Sequence, residues 1–109
     1  MTKQALVGDI GGTNSRFGLV EPGSTAVRDI EALKNRDFGS LEEAIGHYLK
    51  ARGLTDLAAA AIAVAGPTEG EVVALTNRDW RFTRETLRKA AHARRFRLLK
   101  PFQDIRSGE

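Results

Sequence analysis

Cysteine is absent from this chain of 109 residues, proline occurs three times, and aromatic residues make up 6%. Without cysteine the chain cannot form a disulfide framework or a thiolate metal site. No apolar run approaches the ~20 residues that a membrane-spanning helix requires. No secretory signal precedes the first apolar segment, because Met1–Gln4 lead directly into it. These absences predict a cytoplasmic protein that makes no contact with a membrane.

The remaining composition is that of a globular protein. Hydrophobic residues make up 41% of the chain and charged residues 28%, both ordinary values for such proteins. A chain of this length forms at most one ordinary domain with a modest core.

Positive charge is concentrated between residues 81 and 100, where Glu85 is the only acid. Such a stretch is typical either of a solvated helix face with its linker, or of a surface that binds nucleic acid or another acidic partner. Phe96 is the only aromatic residue between Phe82 and Phe102, so stacking on bases has no support. We therefore favour the solvated helix face and consider nucleic-acid binding the weaker alternative.

The first twenty residues hold two short apolar runs, separated by a turn of small residues from Gly11 to Ser15. This pattern predicts a β-hairpin. A loop of small residues can direct several N–H groups at one anion, such as a phosphate, and Asp9 stands where the first strand ends. One carboxylate beside a phosphate is enough to hold Mg²⁺ with its water. The alternative is an ordinary tight turn that binds nothing.

Strands are predicted at residues 4–10, 16–20, 26–33, 57–64, 71–75 and 96–99. Ser40 and Thr83 are candidate N-caps of two helices, and Gly53 is expected to close the first one. Trp80 is expected to pack beneath the sheet. The order β-β-β-α-β-β-α-β predicts an α/β fold, a mixed β-sheet with packed helices. Five residues at helical spacing form the predicted buried face of the first helix: Leu41, Ala44, Ile45, Tyr48 and Leu49.

Three segments resemble motifs of the bacterial glucokinase family, which belongs to the superfamily of sugar kinases, actin and Hsp70 ATPases. Gly8–Arg16 resembles the family's first phosphate motif. Ala61–Pro67 resembles its strand leading into a Gly-Pro turn, and Leu75–Phe82 resembles its Thr-Asn-x-x-Trp segment. The resemblance implies a ribonuclease-H-like (actin-like ATPase) N-terminal lobe at residues 1–99, a divergent tail at 100–109, and no second lobe.

The same resemblance implies a function: ATP-dependent phosphorylation of glucose to glucose 6-phosphate, with ATP and Mg²⁺ as cofactors. Asp9 would hold the Mg²⁺. The implied ATP-phosphate residues are Asp9, Gly11, Gly12, Thr13, Asn14 and Arg16, and the implied sugar-side residues are Gly66, Pro67 and Asn77.

The chain departs from the family after its last predicted strand. Family members continue with Asn-Asp-Phe, whose Asp removes the proton of the sugar hydroxyl, whereas this chain reads Lys100-Pro101-Phe102. Proline has no side-chain proton acceptor and cannot act as a general base. Asp104 is a candidate substitute, although a solvated acid is its simpler role. The resemblance therefore predicts that the isolated chain is inactive, and a truncated, non-catalytic lobe that forms homo-oligomers through an exposed apolar face is the alternative.

Overall fold

A computed structural model describes residues 4–64, 72–74 and 80–99. The strands within these residues are β1 (Ala5–Ile10), β2 (Asn14–Val20), β3 (Arg28–Lys34), β4 (Leu57–Val64), β5 (Val72–Ala74), β6 (Arg81–Thr83) and β7 (Ala93–Leu99). Five of them form one mixed sheet in the spatial order β3-β2-β1-β4-β7. The first three strands form an antiparallel meander, and β4 and β7 run parallel to β1. A separate antiparallel ribbon consists of β5 and β6.

Two helices, α1 (Leu41–Lys50) and α2 (Arg84–Ala91), begin at the predicted caps. The Ser40 hydroxyl accepts a hydrogen bond from the Glu43 N–H, and the Thr83 hydroxyl accepts one from the Thr86 N–H. Each bond satisfies a donor that the first turn of the helix leaves without a partner. Gly53 adopts the left-handed conformation, with φ of 69°, in the turn after α1. The predicted α/β class with a mixed sheet is therefore confirmed.

Both helices pack on one face of the sheet. Ring contact between Phe17 on β2 and Tyr48 on α1, with centroids 5.5 Å apart, shows which face this is. The five residues predicted for the inner face of α1 are all buried, as expected. The strands contribute the alternate residues Leu6, Ile10, Phe17, Leu19, Ala60, Ile62 and Val64 to the same core.

The opposite face of the sheet is open and carries small, charged and exposed apolar side chains. Because successive side chains of a strand alternate between faces, Val7 and Asp9 of β1 lie on this open face. Three half-buried alanines, Ala59, Ala61 and Ala63, lie beside them on β4. No helix among the described residues is long and apolar enough to cross a membrane.

The basic stretch contains the predicted helix and the predicted last strand. Residues 84–91 form α2, and residues 93–99 form β7, which pairs along β4 and begins three residues earlier than the predicted strand at 96–99. Phe96 and Leu98 are half-buried against the core, while Arg95 and Arg97 are exposed on the open face. Residues 93–95 are therefore strand and not solvated linker, because pairing with β4 decides their structure.

Two further boundaries differ from the predictions. β2 begins at Asn14, two residues earlier than expected, so the loop between the first strands is shorter. The three-residue strand β6 was not predicted, because it is too short to show a periodic pattern. Trp80, directly before β6, is 5% exposed, and the expectation that it packs into the core is confirmed.

Tyr48 links α1 to the edge strand β3. Its hydroxyl donates a hydrogen bond of 2.7 Å to the Asp29 carbonyl oxygen. The guanidinium carbon of Arg52 lies 3.7 Å from the centre of its ring. Burial raises the pKa of the Tyr48 hydroxyl above its ordinary value of 10.0, because an apolar environment disfavours the phenolate.

Replacing Tyr48 by phenylalanine is expected to lower the free energy of unfolding by about 1 kcal/mol near neutral pH, because one hydrogen bond is lost. The raised pKa gives the unsubstituted protein stability that is fully present below about pH 10 and is lost as the pH rises through the folded-state pKa. Tyr48→Phe should therefore flatten the alkaline decline of stability. Urea unfolding from about pH 7 to pH 11 measures both effects, and parallel alkaline slopes in the two proteins would contradict the second.

Candidate functional site

The predicted site residues that the structure describes lie at one edge of the sheet. The strands β1, β4 and β7 run in the same direction, and their carboxyl ends are in register: Ile10 lies opposite Val64, and Ala63 lies opposite Leu99. Neighbouring strands are about 4.8 Å apart, so the carboxyl ends of these three strands lie close together. In open α/β sheets, ligands bind outside the carboxyl ends of parallel strands.

Asp9 and Arg16 form a cross-strand pair on the open face, next to this edge. They lie directly opposite each other on β1 and β2, and both are exposed. Among the described residues, neither takes part in a salt bridge. A carboxylate and a guanidinium of this kind remain available to a ligand that has both phosphate oxygens and a metal ion.

The loop between β1 and β2 is closed by a hydrogen bond within the hairpin. The Gly11 N–H donates to the Asn14 carbonyl oxygen at 2.9 Å, so this N–H is not available to a ligand. The N–H groups of Gly12 and Thr13 have no hydrogen-bond partner among residues 4–64, 72–74 and 80–99. Gly11 and Gly12 are half-buried, whereas the side chains of Thr13 and Asn14 are exposed.

Asn35 supports the loop from the inner side and was not expected from the sequence. Its side-chain Nδ2 donates to the Gly11 carbonyl oxygen at 2.8 Å, and its backbone N–H donates to the Thr13 carbonyl oxygen at 2.9 Å. Its Oδ1 accepts a hydrogen bond of 2.6 Å from the buried hydroxyl of Ser15. Twenty or more residues separate Asn35 from these partners, so no local sequence signal could have indicated the contact.

A groove of about 210 Å³ lies on the open face beside Asp9 and Arg16. Val7, Gly18, Val27 and Ile30 are among the residues that line it. This volume is below the roughly 300–1,000 Å³ of typical small-molecule pockets. The groove alone is therefore too small to enclose a nucleotide, and the described residues offer a single wall.

The remaining predicted site residues come after β4 or β7 in the sequence. Gly66 and Pro67 come two and three residues after β4, and Pro101 comes two residues after β7. Gly66, Pro67, Asn77, Pro101 and Asp104 all lie outside the described residues.

The Asp9 carboxylate at this edge is suited to a Mg²⁺ ion that is also bound by the phosphates of a substrate. The described part of the chain contains no group of three or more histidine, aspartate and glutamate side chains that could hold a metal ion by themselves. Mg²⁺ keeps several waters and uses one or two carboxylates together with substrate phosphates. Asp9 is exposed and precedes a loop in which two N–H groups have no hydrogen-bond partner among the described residues, which fits this type of binding.

Solved structures with the same fold define the class of protein. A glucokinase from an Antarctic psychrotroph aligns with a TM-score of 0.80 and 31% identity, over 92% of this chain and 33% of its own. A glucokinase from Balamuthia mandrillaris has the same fold, with a TM-score of 0.66 and 22% identity. The fold is that of a sugar kinase with the actin-like ATPase architecture.

The family model for glucokinase matches residues 6–107, and the chain belongs to the glucokinase family. Among curated relatives, the glucokinase of Caulobacter sp. (strain K31) is 46% identical over 99 residues, which is 89% of this chain and 30% of that protein. The glucokinase of Marinobacter nauticus is 40% identical over 104 residues, 95% of this chain and 32% of that protein. The chain thus spans about a third of the length of these relatives.

Proposed function

We propose that residues 1–99 are the N-terminal lobe of an ATP-dependent glucokinase that converts glucose to glucose 6-phosphate in the cytoplasm, and that residues 100–109 form a divergent tail. One observation carries the proposal: Asp9, Arg16 and the loop between them lie where three parallel strands end in register. The family membership and the names of the relatives support glucose as the acceptor.

The loop from Gly11 to Asn14 holds the phosphates of ATP in this proposal. The Gly12 and Thr13 N–H groups, which have no partner within the described residues, donate hydrogen bonds to phosphate oxygens. Arg16 adds positive charge on the same face. Because phosphoryl transfer depends mainly on positioning and on neutralising charge, these groups are what the reaction requires on this side of the cleft.

Asp9 holds Mg²⁺, directly or through water, beside the phosphates. When bound, Mg²⁺ neutralises charge on the transferring phosphoryl group. The exposed Asp9 carboxylate lies at the end of β1, one residue before the strand stops. This position lets it reach outward from the sheet edge without being buried in the core.

The sugar side of the cleft is assigned to residues that follow β4 and precede β6. Gly66 and Pro67 follow β4 in the chain, and Asn77 precedes Trp80. We propose that they shape the glucose site. Pro101 occupies the place of the family's general base, and Asp104 is the nearest acid after it.

Calorimetric titration of the full chain tests the phosphate site. We expect the chain to bind ATP more tightly with Mg²⁺ than without it, and Asp9→Asn to weaken binding in the presence of Mg²⁺ about tenfold, the loss expected for one charge-assisted interaction. ATP binding without Mg²⁺ should change little. Asp56→Asn removes the same charge just before β4, at the opposite end of the sheet, and is the matched control.

Equal effects of Asp9→Asn and Asp56→Asn would show that the loss comes from net charge and not from the site. A coupled kinase assay with glucose is the second measurement. We expect no turnover by the isolated chain, because Pro101 cannot accept a proton. Turnover at the rate of a complete glucokinase would contradict the assigned role of that position.

A further inference from the structure

Asn35 is a buried polar residue whose hydrogen-bonding capacity is directed at the loop. It is 1% exposed and follows β3 directly, at the start of a short 3-10 turn, Asn35–Asp37. A buried amide without partners is costly, yet Asn35 bonds through Nδ2, Oδ1 and its backbone N–H. All three bonds reach residues between Gly11 and Ser15.

These bonds determine which way the loop's peptide groups point. The Gly11 carbonyl and the Gly12 N–H belong to one planar trans peptide, so they point in opposite directions. Because Nδ2 of Asn35 holds the Gly11 carbonyl, the Gly12 N–H is directed away from Asn35. The Asn35 N–H holds the Thr13 carbonyl in the same way, which directs the Asn14 N–H away from β3.

We propose that Asn35 is a positioning residue that fixes the phosphate-binding loop before the ligand arrives. The inference rests on the proposed function of that loop. With the Gly11 and Thr13 carbonyls held on the inner side, the loop has less conformational freedom to lose when an anion binds, and the Gly12 N–H needs no reorientation. A loop without Asn35 would have to be ordered by the phosphate itself.

The test uses the full chain, Mg²⁺ and inorganic tripolyphosphate as the probe. Asn35→Asp keeps the acceptor for Ser15 but replaces the donor to the Gly11 carbonyl by an oxygen. We expect it to raise the dissociation constant for tripolyphosphate about tenfold, and to speed hydrogen exchange at the Gly12 amide by a similar factor. Ser15→Ala leaves both carbonyl contacts in place and should change each quantity less than threefold.

A variant that only lowers the overall stability must leave the tripolyphosphate affinity and the Gly12 exchange rate unchanged. Ile45→Val removes one buried methyl group from α1, and Ile45 makes none of the hydrogen bonds to the loop. At a similar loss of overall stability, it should leave both the tripolyphosphate affinity and the Gly12 exchange rate unchanged. An equal change in the Ile45→Val and Asn35→Asp proteins would overturn the positioning role.

The two proposals fail in distinguishable ways. If the unsubstituted chain binds tripolyphosphate and Asn35→Asp binds it equally well, the role of Asn35 is overturned and the function of the loop stands. If the unsubstituted chain does not bind tripolyphosphate, the proposed phosphate site is overturned, and the positioning role falls with it. Should Asn35→Asp fail to fold, exchange of the Asn35 side-chain amide in the unsubstituted protein decides: protection at least tenfold supports the contact, and exchange as in a free amide overturns it.

Discussion

In a chimera that joins residues 1–107 of this chain to the rest of the Caulobacter sp. (strain K31) glucokinase, Lys100→Asn combined with Pro101→Asp is expected to raise kcat by about 10²–10⁴-fold. That range is the usual contribution of a positioned general base. β7 ends in register with β4, and β4 with β1. β7 therefore ends at the edge that carries Asp9 and the loop, and Pro101 follows it by two residues in the sequence.

Two control variants separate the base from other effects in this chimera. Pro101→Ala removes the rigid ring without adding an acceptor, and kcat should remain low. Lys100→Asn alone should affect KM for glucose more than kcat. If Pro101→Ala is as active as the double variant, the proline ring and not the missing base limits the rate. If the unsubstituted chimera is already active and Asp104→Asn abolishes that activity, Asp104 is the base.

Gly8→Val is expected to lower the free energy of unfolding by about 2–3 kcal/mol, because it overfills the core beneath the loop. A Cβ at Gly8 would lie 2.8 Å from Cδ1 of Ile62, and 3.0 and 3.1 Å from Cδ1 and Cε1 of Phe17. β1 is paired with β2 on one side and β4 on the other, so the strand has little freedom to move. Urea unfolding followed by the fluorescence of Trp80 measures the change.

Two further variants make the cause specific. Gly46 lies on α1 with nothing within 4 Å of its Cβ position, and Gly46→Ala should stabilise the protein by up to about 1 kcal/mol through helix propensity. Ile62→Val removes the Cδ1 atom nearest to the new side chain. It should therefore cost less in the Gly8→Ala background than in the unsubstituted protein. Additive effects at positions 8 and 62 would argue against a direct clash.

Local sequence patterns predicted the helices and the buried strand well. The N-caps Ser40 and Thr83 act through hydrogen bonds to residues three positions later, and such short-range chemistry is visible in the sequence. The run Leu57–Val64 is a strand despite its four alanines in succession. Its apolar continuity indicated a strand more reliably than alanine's helix propensity indicated a helix, although the expected burial on both faces is only partial, because Ala59, Ala61 and Ala63 are half-buried.

The parts that escaped prediction depend on contacts between distant residues. Arg95 is in a strand because Ala59 of β4 pairs with it, whereas the sequence predicted this strand only from Phe96 onward. No local pattern distinguishes Asn35 from other loop residues, because only the pairing of β2 with β3 brings it to Thr13. The sequence therefore indicated where the proposed phosphate loop lies but not which contacts hold its conformation.

The sequence separations at this edge imply an order of assembly during synthesis. The hairpin of β1 and β2 lies within residues 5–20, and such hairpins form in about 1–10 μs. Asn35 can form its hydrogen bonds to the loop only after β3 has been made. β4 pairs with β1, and β7 with β4, later still, because these contacts span longer stretches of chain. During synthesis, the loop that follows Asp9 is therefore formed first, with the hairpin, and is hydrogen-bonded by Asn35 second. The set of neighbouring strands is complete only when β7 has been made, at residue 99.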